Sequence, residues 1–330
     1  MKNALVAAAF LAAGLTALPA AAETTLRVTL QLPIKSHLGQ NLEAFEREVE
    51  AASNGELQVE IYPAAQLYKD SEVPQAVGSG AIEMGVASIT QFAGTIPAVD
   101  IFYVPFMFTS EEMVRKAVAH DSPIRSALDE AILGTGTRVL WWQAYGGAIM
   151  LSKDAPLKSP ADIKNKKVRV FGKTLGEFVT ATGGVPVMTS GSEQYVAYQR
   201  GTVDAGMTGV SGVKSRKLWQ VMDHITVTNH ADVEFLVLIN EDFWQGLSPA
   251  HREILAAAAR KVEDELRNTM AKIESDAFEA AKAEGMGIYV PSDAEMAAWR
   301  EASAPVIEQY KQAAGDLGAK LVMEAEKLQQ

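Results

Sequence analysis

The chain contains no cysteine. Disulfide frameworks, thiolate nucleophiles and cysteine-ligated metals are therefore excluded. It also lacks an excess of positive charge, with 30 Lys and Arg against 41 Asp and Glu and a net charge of −11. Nucleic acid demands a basic footprint, so it is not an expected partner. Beyond the N-terminal segment, no apolar run is long enough to cross a membrane as a helix. Hydrolase signatures are missing too. Gly209-Val210-Ser211-Gly212 is the nearest approach to a nucleophile elbow and fails its spacing. No H-E-x-x-H occurs, and the five histidines (His37, His120, His224, His230, His251) are scattered. Gly134-Thr135-Gly136 lacks the third glycine of a nucleotide-binding loop. No metal, no cofactor and no enzymatic activity are expected.

What is present fits a soluble globular protein of one large or two medium domains: 330 residues, 48% hydrophobic and 22% charged. Lys2, the apolar stretch Ala4 to Leu15 and the small residues Ala20-Ala21-Ala22 have the layout of a signal peptide. Residues 1–22 are thus expected to be removed, leaving a soluble periplasmic protein that begins at Glu23.

The stretch Lys166 to Met207 shows the clearest organisation. Val168-Arg169-Val170-Phe171 has the composition of a short strand. A helical run to Gly183-Gly184 follows, then an apolar segment at Val185 to Val187. A second helix from about Ser190 to Gly201 leads into a strand at Thr202 to Ala205. This alternation predicts parallel βαβ units, whose ligands sit at the carboxyl ends of the strands. Arg169 lies mid-strand among apolar neighbours. A ligand contact, a solvated face or a structural ion pair would each account for it.

The N-terminal part repeats the pattern, with strands at Leu26 to Leu32, Leu57 to Ile61 and Ile82 to Ala87 and helices at Leu38 to Ala52 and Val73 to Ser79. Gly80-Ala81-Ile82-Glu83-Met84-Gly85 resembles Gly201-Thr202-Val203-Asp204-Ala205-Gly206 in kind and position, which suggests two similar α/β lobes with a cleft between them. Arg138 to Trp142 reads as a strand leading into Gln143-Ala144-Tyr145-Gly146-Gly147. Ser159, Pro160 and Asp162 read as a helix start. Glu234 to Asn240 reads as a buried strand. A helix from Ser248-Pro249 runs without a breaker to Gly285, about 55 Å and long enough to lie along both lobes. Asp293 to Gln330 is further helix.

Several blocks stand in an order found in a known family: Tyr62-Pro63-Ala64-Ala65-Gln66-Leu67, Val104-Pro105-Phe106-Met107-Phe108, Pro156-Leu157-Lys158-Ser159-Pro160-Ala161-Asp162-Ile163, Lys167-Val168-Arg169-Val170, Pro186-Val187, Ser192-Glu193-Gln194-Tyr195 and Gln199-Arg200-Gly201-Thr202-Val203-Asp204. On these, essentially the whole mature chain resembles the substrate-binding proteins of tripartite ATP-independent periplasmic (TRAP) transporters. The resemblance implies an α/β, two-lobed periplasmic binding protein fold with hinge strands and a long helix spanning both lobes. Residues 23–145 plus 234–273 would form lobe I, and 146–233 plus 274–330 lobe II. It also implies a small organic-acid ligand, TRAP membrane subunits as partners, and a monomer. The family's arginine falls on Arg169, implying a bidentate pair with a ligand carboxylate, and a guanidinium fork suits that geometry.

Departures from the family pattern bear on the ligand. Ala148 stands where many members have a second arginine, Gly191 where many have an aromatic, and Thr208 where many have asparagine. They predict a roomier pocket with one strong anion contact, unless Tyr145, Phe171 or Trp142 fills the space. The expected ligand is a monocarboxylate or sulfonate with a bulky, for example aromatic, body, ahead of a C4-dicarboxylate. His37 in the first strand–helix loop, Ser88, Gln91 and Phe92 in the next, and Glu234 at the hinge are further candidate contacts. A sensor module or ABC-type receptor would share this fold, and an exported hydrolase is the alternative of another class.

Overall fold

The computed structural model describes residues 23–329, so the expected signal peptide lies outside the described residues. Its strands are β1 (Thr24–Thr29), β2 (Leu57–Tyr62), β3 (Met84–Ser88), β4 (Thr137–Ser152), β5 (Lys167–Val170), β6 (Val185–Met188), β7 (Ala205–Gly209), β8 (His224–Thr226), β9 (Asp232–Asn240) and β10 (Gly287–Tyr289). The sheet runs β2-β1-β3-β9-β4-β7-β5-β6, with β8 paired to β4 and to β10. β1 lies parallel to β2 and β3, and β5 parallel to β6 and β7. These are the two βαβ units that the alternation predicted.

β4 joins the halves. Its first part pairs antiparallel with β9, and Ala148 to Ser152 pairs antiparallel with β7. The strand expected at Arg138 to Trp142 therefore continues through Gln143 to Gly147 as far as Ser152. Register shifts between Val139 and Trp141 and between Ala144 and Gly146 absorb the glycine pair as bulges. Gly146 takes φ +93°, and a Cβ there would overlap Glu274 Oε1. A side-chained residue rarely adopts that backbone, so the bend requires glycine.

The sequence repeat has a structural counterpart. Gly80 and Gly201, both at positive φ, close the helices Val73–Gly78 and Gln194–Gln199. Glu83 then accepts the Arg27 N–H at 3.1 Å, and Asp204 accepts the Lys167 N–H at 2.8 Å. Each acid ties the first strand of its half to the third. The third strands accordingly begin at Met84 and Ala205, later than the apolar pattern suggested.

The helix Pro249–Ala283 spans both halves. Its 35 residues extend about 50 Å. Leu255, Val262 and Leu266 belong to the main core, which takes in residues of both halves, while Ala277 and Ala281 pack in a smaller core with Ile149, Leu151 and Ile225. Between them, Glu263 pairs with Arg125 and Arg267 with Glu234, all buried or nearly so. The C-terminal helix Pro305–Lys327 lies against Pro97–Tyr103, where the Tyr310 hydroxyl donates to the Ala98 carbonyl at 2.8 Å. At Ser159 the predicted cap is present, with Asp162 accepting the Ser159 N–H, but it opens only the short 3-10 turn Pro160–Ile163.

Candidate ligand-binding site

Arg169 projects from β5 between the two neighbouring strands. Its Nε donates to the Thr189 carbonyl at 2.9 Å, just past β6, and its Nη1 to the Met207 carbonyl of β7 at 2.7 Å. Nη2 has no hydrogen-bond partner among the described residues. The side chain is 2% exposed, and the guanidinium lies 4.9 Å from the Phe171 ring centroid. Two carbonyls orient the charge without neutralising it. Burial pushes the Arg169 pKa down to about 10, and the nearby Arg216 charge adds to that effect. Gly206 makes the arrangement sterically feasible, since a Cβ there would sit 2.9 Å from Arg169 Cβ.

Arg216, in the last turn of the helix Val210–Arg216, folds back over that helix. Nε donates to the Gly212 carbonyl at 3.2 Å, Nη1 to the Gly191 carbonyl at 3.1 Å, and Nη2 to Thr208 Oγ1 at 2.8 Å and the Tyr145 hydroxyl at 3.1 Å. A Cβ at Gly212 would collide with Nη2. Neither Arg169 nor Arg216 forms a salt bridge among the described residues.

Both guanidiniums line one cavity. From the other half of the molecule come Gln31, Leu32 and Asp70. Asp70 is 2% exposed and accepts the Ser88 N–H at 3.0 Å and Gln91 Nε2 at 2.9 Å. Burial pushes its carboxyl up to about 7, against the lowering influence of those donors and of Arg169. Gln31 Oε1 accepts from Ser190 Oγ at 3.1 Å and from the Gly191 N–H at 3.0 Å, bonding one half to the other. Gln91 Nε2 also reaches the Phe171 carbonyl at 3.2 Å, and Lys69 pairs with Glu193 at 2.7 Å. The halves are closed over the cavity.

Of the residues singled out in the sequence, Arg169, Phe171, Thr208, Gly191 and Tyr145 converge on this cavity. The others do not line it. Ala148 is fully buried in β4, bonded through its N–H to the Ala231 carbonyl. His37 stands behind Tyr145, with ring centroids 5.2 Å apart and Nε2 3.1 Å from the Ala144 carbonyl. Burial lowers the His37 pKa to about 4, so it is neutral. Ser88 is turned to the Tyr103 hydroxyl at 2.9 Å, and Phe92 is core. Gln91 acts through Asp70 and the Phe171 carbonyl. Glu234 is bonded to Arg267 at 2.8 and 2.9 Å.

Strand alternation explains the Glu234 placement. Tyr145, Val233 and Phe235 face the ligand cavity, whereas Ala144, Gly146, Asp232 and Glu234 face a second cavity of ≈ 790 Å³ behind the hinge. That space is larger, but its arginines, Arg267 and Arg115, are already paired with Glu234 and Glu111. It offers no unpaired cation to an organic anion.

The roomier pocket with one anion contact is not what forms. Arg216 supplies a second guanidinium from a helix, where Ala148 had been expected to leave none. The space beside Gly191 is taken by Gln31 and Arg216, both within about 3 Å of where a Cβ would stand. Tyr145 and Phe171 fill the cavity wall, as does Phe235, while Trp142 is buried elsewhere against Phe102. Gln31, Asp70 and Arg216 were missed. Arg216 sits in Lys214-Ser215-Arg216-Lys217 and Asp70 in Lys69-Asp70-Ser71-Glu72, runs that read as solvated surface. The only local signal for Arg216 is the glycine four residues earlier.

Comparison with known proteins bears on the whole chain. The family model for bacterial extracellular solute-binding protein, family 7, matches residues 30–313. The chain is 31% identical over 281 residues to the C4-dicarboxylate-binding periplasmic protein DctP of Rhodobacter capsulatus, covering 84% of this chain and 83% of that protein. A TRAP periplasmic solute-binding protein of Shewanella oneidensis with bound succinate has the same fold, with a TM-score of 0.88, 22% identity, and 94% and 100% of the two chains covered. So has DctP7 of Bordetella pertussis, an extracytoplasmic solute receptor binding pyroglutamic acid, with a TM-score of 0.87, 20% identity, and 92% and 99% covered. The fold implied by the sequence blocks is the fold observed, and the chain belongs to family 7 of the bacterial extracellular solute-binding proteins, the TRAP substrate-binding family.

Proposed function

We propose that the protein is a periplasmic, monomeric receptor that captures a compact organic acid by one carboxylate and hands it to the membrane subunits of a TRAP transporter. The observation that carries this reading is the pair of guanidiniums, Arg169 and Arg216, lining one cavity without a carboxylate salt-bridge partner among the described residues. A ligand carboxylate bound by both supplies the missing counter-charge through charge-assisted bonds, the stronger class of hydrogen bond. The names of the relatives support an acid: C4-dicarboxylate, succinate and pyroglutamic acid all carry a carboxylate. Tyr145, Phe171 and Phe235 already fill the cavity wall, which favours a compact body over a bulky aromatic one.

Residues 23–145 plus 234–273 and 146–233 plus 274–330 move as the two lobes in this reading. Ligand contacts from both favour the closed form, and only such differential affinity shifts a hinge equilibrium. The bound acid is released unchanged, which sets this reading apart from a hydrolase. Titration calorimetry of the wild type and Arg169→Ala against an organic-acid panel tests it. We expect affinity to fall at least about tenfold, the loss of one charge-assisted contact. An unaltered dissociation constant removes Arg169 from the site.

A further inference from the structure

Resting on the two-lobe receptor reading above, we infer that the Asp100 carboxylate opposes closure of the lobes, so that the receptor stays open until a ligand is bound. Asp100 belongs to the 3-10 turn Pro97–Tyr103 of lobe I. It is 2% exposed in the closed form and meets the helix Lys173–Ala181 of lobe II, which follows the Arg169 strand. Oδ2 accepts the Thr174 N–H at 3.2 Å. Oδ1 has no hydrogen-bond partner, and no cation pairs with the carboxylate, among the described residues. The lobes approach closely here. The helix opens on Gly172, which has no side chain to cap it, and a Cβ there would collide with Thr90 Oγ1 of lobe I. In the two-lobe reading this contact forms on closure, and Asp100 does not line the ligand cavity.

A carboxylate in this place loses more than it gains. A helix N-terminus favours the anion modestly. Withdrawal from water, with one oxygen left unpartnered, costs more than a single N–H returns. The other titratable groups around Asp100 do not offset that cost. Glu177 carries like charge, Lys173 is turned to Glu177 at 3.9 Å, and Tyr103 and the Tyr310 of the C-terminal helix are neutral. Burial pushes the Asp100 carboxyl up to about 6, and the Glu177 charge adds to the effect. When the lobes part, water reaches the carboxylate and its pKa falls towards the ordinary 3.8, so between these values the closed form binds the extra proton. Closure is therefore easiest in acid, and above about pH 6 it carries the full cost of the charge. A bound acid overcomes that cost through its contacts with Arg169 and Arg216.

The chain has no cysteine, so the pair Lys69→Cys and Glu193→Cys, whose present side chains meet across the lobes at 2.7 Å, can report closure. In ligand-free protein, the rate at which a short bifunctional maleimide links the two thiols tracks the closed population. Asp100→Asn keeps an oxygen for the Thr174 N–H and removes the charge. At pH 8 it should be linked at least about tenfold faster than its Asp100 parent, and that ratio should shrink severalfold by pH 5. Taking the ratio at each pH cancels the reactivity of the thiols and the titration of Asp70, common to both proteins. Asp100→Ser, also uncharged, serves the same comparison if Asp100→Asn does not fold. Equal rates at pH 8, a slower variant, a ratio that does not change with pH, or a parent that is never linked overturns the inference. The receptor reading is judged separately, by acid binding to the wild type. An acid that binds while the rates stay equal leaves that reading standing, and a panel of which none binds removes both.

Discussion

Replacing Arg216 with glutamine removes a charge from the ligand cavity and, because the shorter amide ends where Nε stands, also the Nη2 bonds to Thr208 and Tyr145 at 2.8 and 3.1 Å. If Arg216 and Arg169 hold the same carboxylate, the two substitutions are not independent. Each alone should cost about 1.5–3 kcal/mol of binding, the worth of a hydrogen bond to a charged group. That is roughly a 10- to 150-fold rise in dissociation constant. The ligand-free protein is affected in the opposite sense. Arg169 is held down near 10 by burial first and by the Arg216 charge as well, a cost that nothing relieves in the ligand-free protein. Removing Arg216 eases part of that cost. Calorimetric titration of the wild type, Arg169→Ala, Arg216→Gln and the double variant closes a thermodynamic cycle. A shared carboxylate predicts a coupling of at least about 0.5 kcal/mol, because the second substitution acts on a carboxylate already poorly held. Free energies that add to within about 0.3 kcal/mol would refute shared binding and assign the arginines to separate ligand groups.

Asp70 gives a pH dependence with a definite sign. Its folded carboxyl lies near 7 and its unfolded one near 3.8, so between these values the folded form retains a proton that the unfolded form has lost. Stability from this group therefore falls as pH rises through the window, by at most about 4 kcal/mol. Asp70→Asn should melt higher than the wild type at pH 8 and lose that advantage by pH 4, read from melting temperature against pH; a pH-independent difference contradicts the assignment. Glu263→Ala strands the buried Arg125 guanidinium, so unfolding free energy should drop by about 3–5 kcal/mol with little change in ligand affinity; a loss under about 1 kcal/mol would show that Asp129 replaces it. Gly146→Ala forces a side chain onto φ +93° beside Glu274 and should cost about 1–3 kcal/mol in denaturant unfolding. A neutral result would mean that the β4 bulge relaxes.

The fold was largely legible because its signals are local. Apolar alternation, helix-ending glycines and a breaker-free stretch from Pro249 each report on their own segment. The full length of β4 was not legible past Trp142, because only pairing with β9 and β7 keeps Gly146-Gly147 extended. Arg169 stood out because a charge interrupts an apolar strand. Arg216 and Asp70 did not, since each lies in a charged run, and what buries them is the fold of distant segments. Glu234 shows the same limit from the other side. It was placed on the right strand, but which face meets the ligand depends on how β9 and β4 stack between the two cavities.

A crystal structure of the protein with the acid that co-purifies with it tests the central claim most directly. The account predicts a ligand carboxylate within hydrogen-bond distance of both Arg169 and Arg216. A carboxylate bound elsewhere, or one touching neither guanidinium, would contradict it.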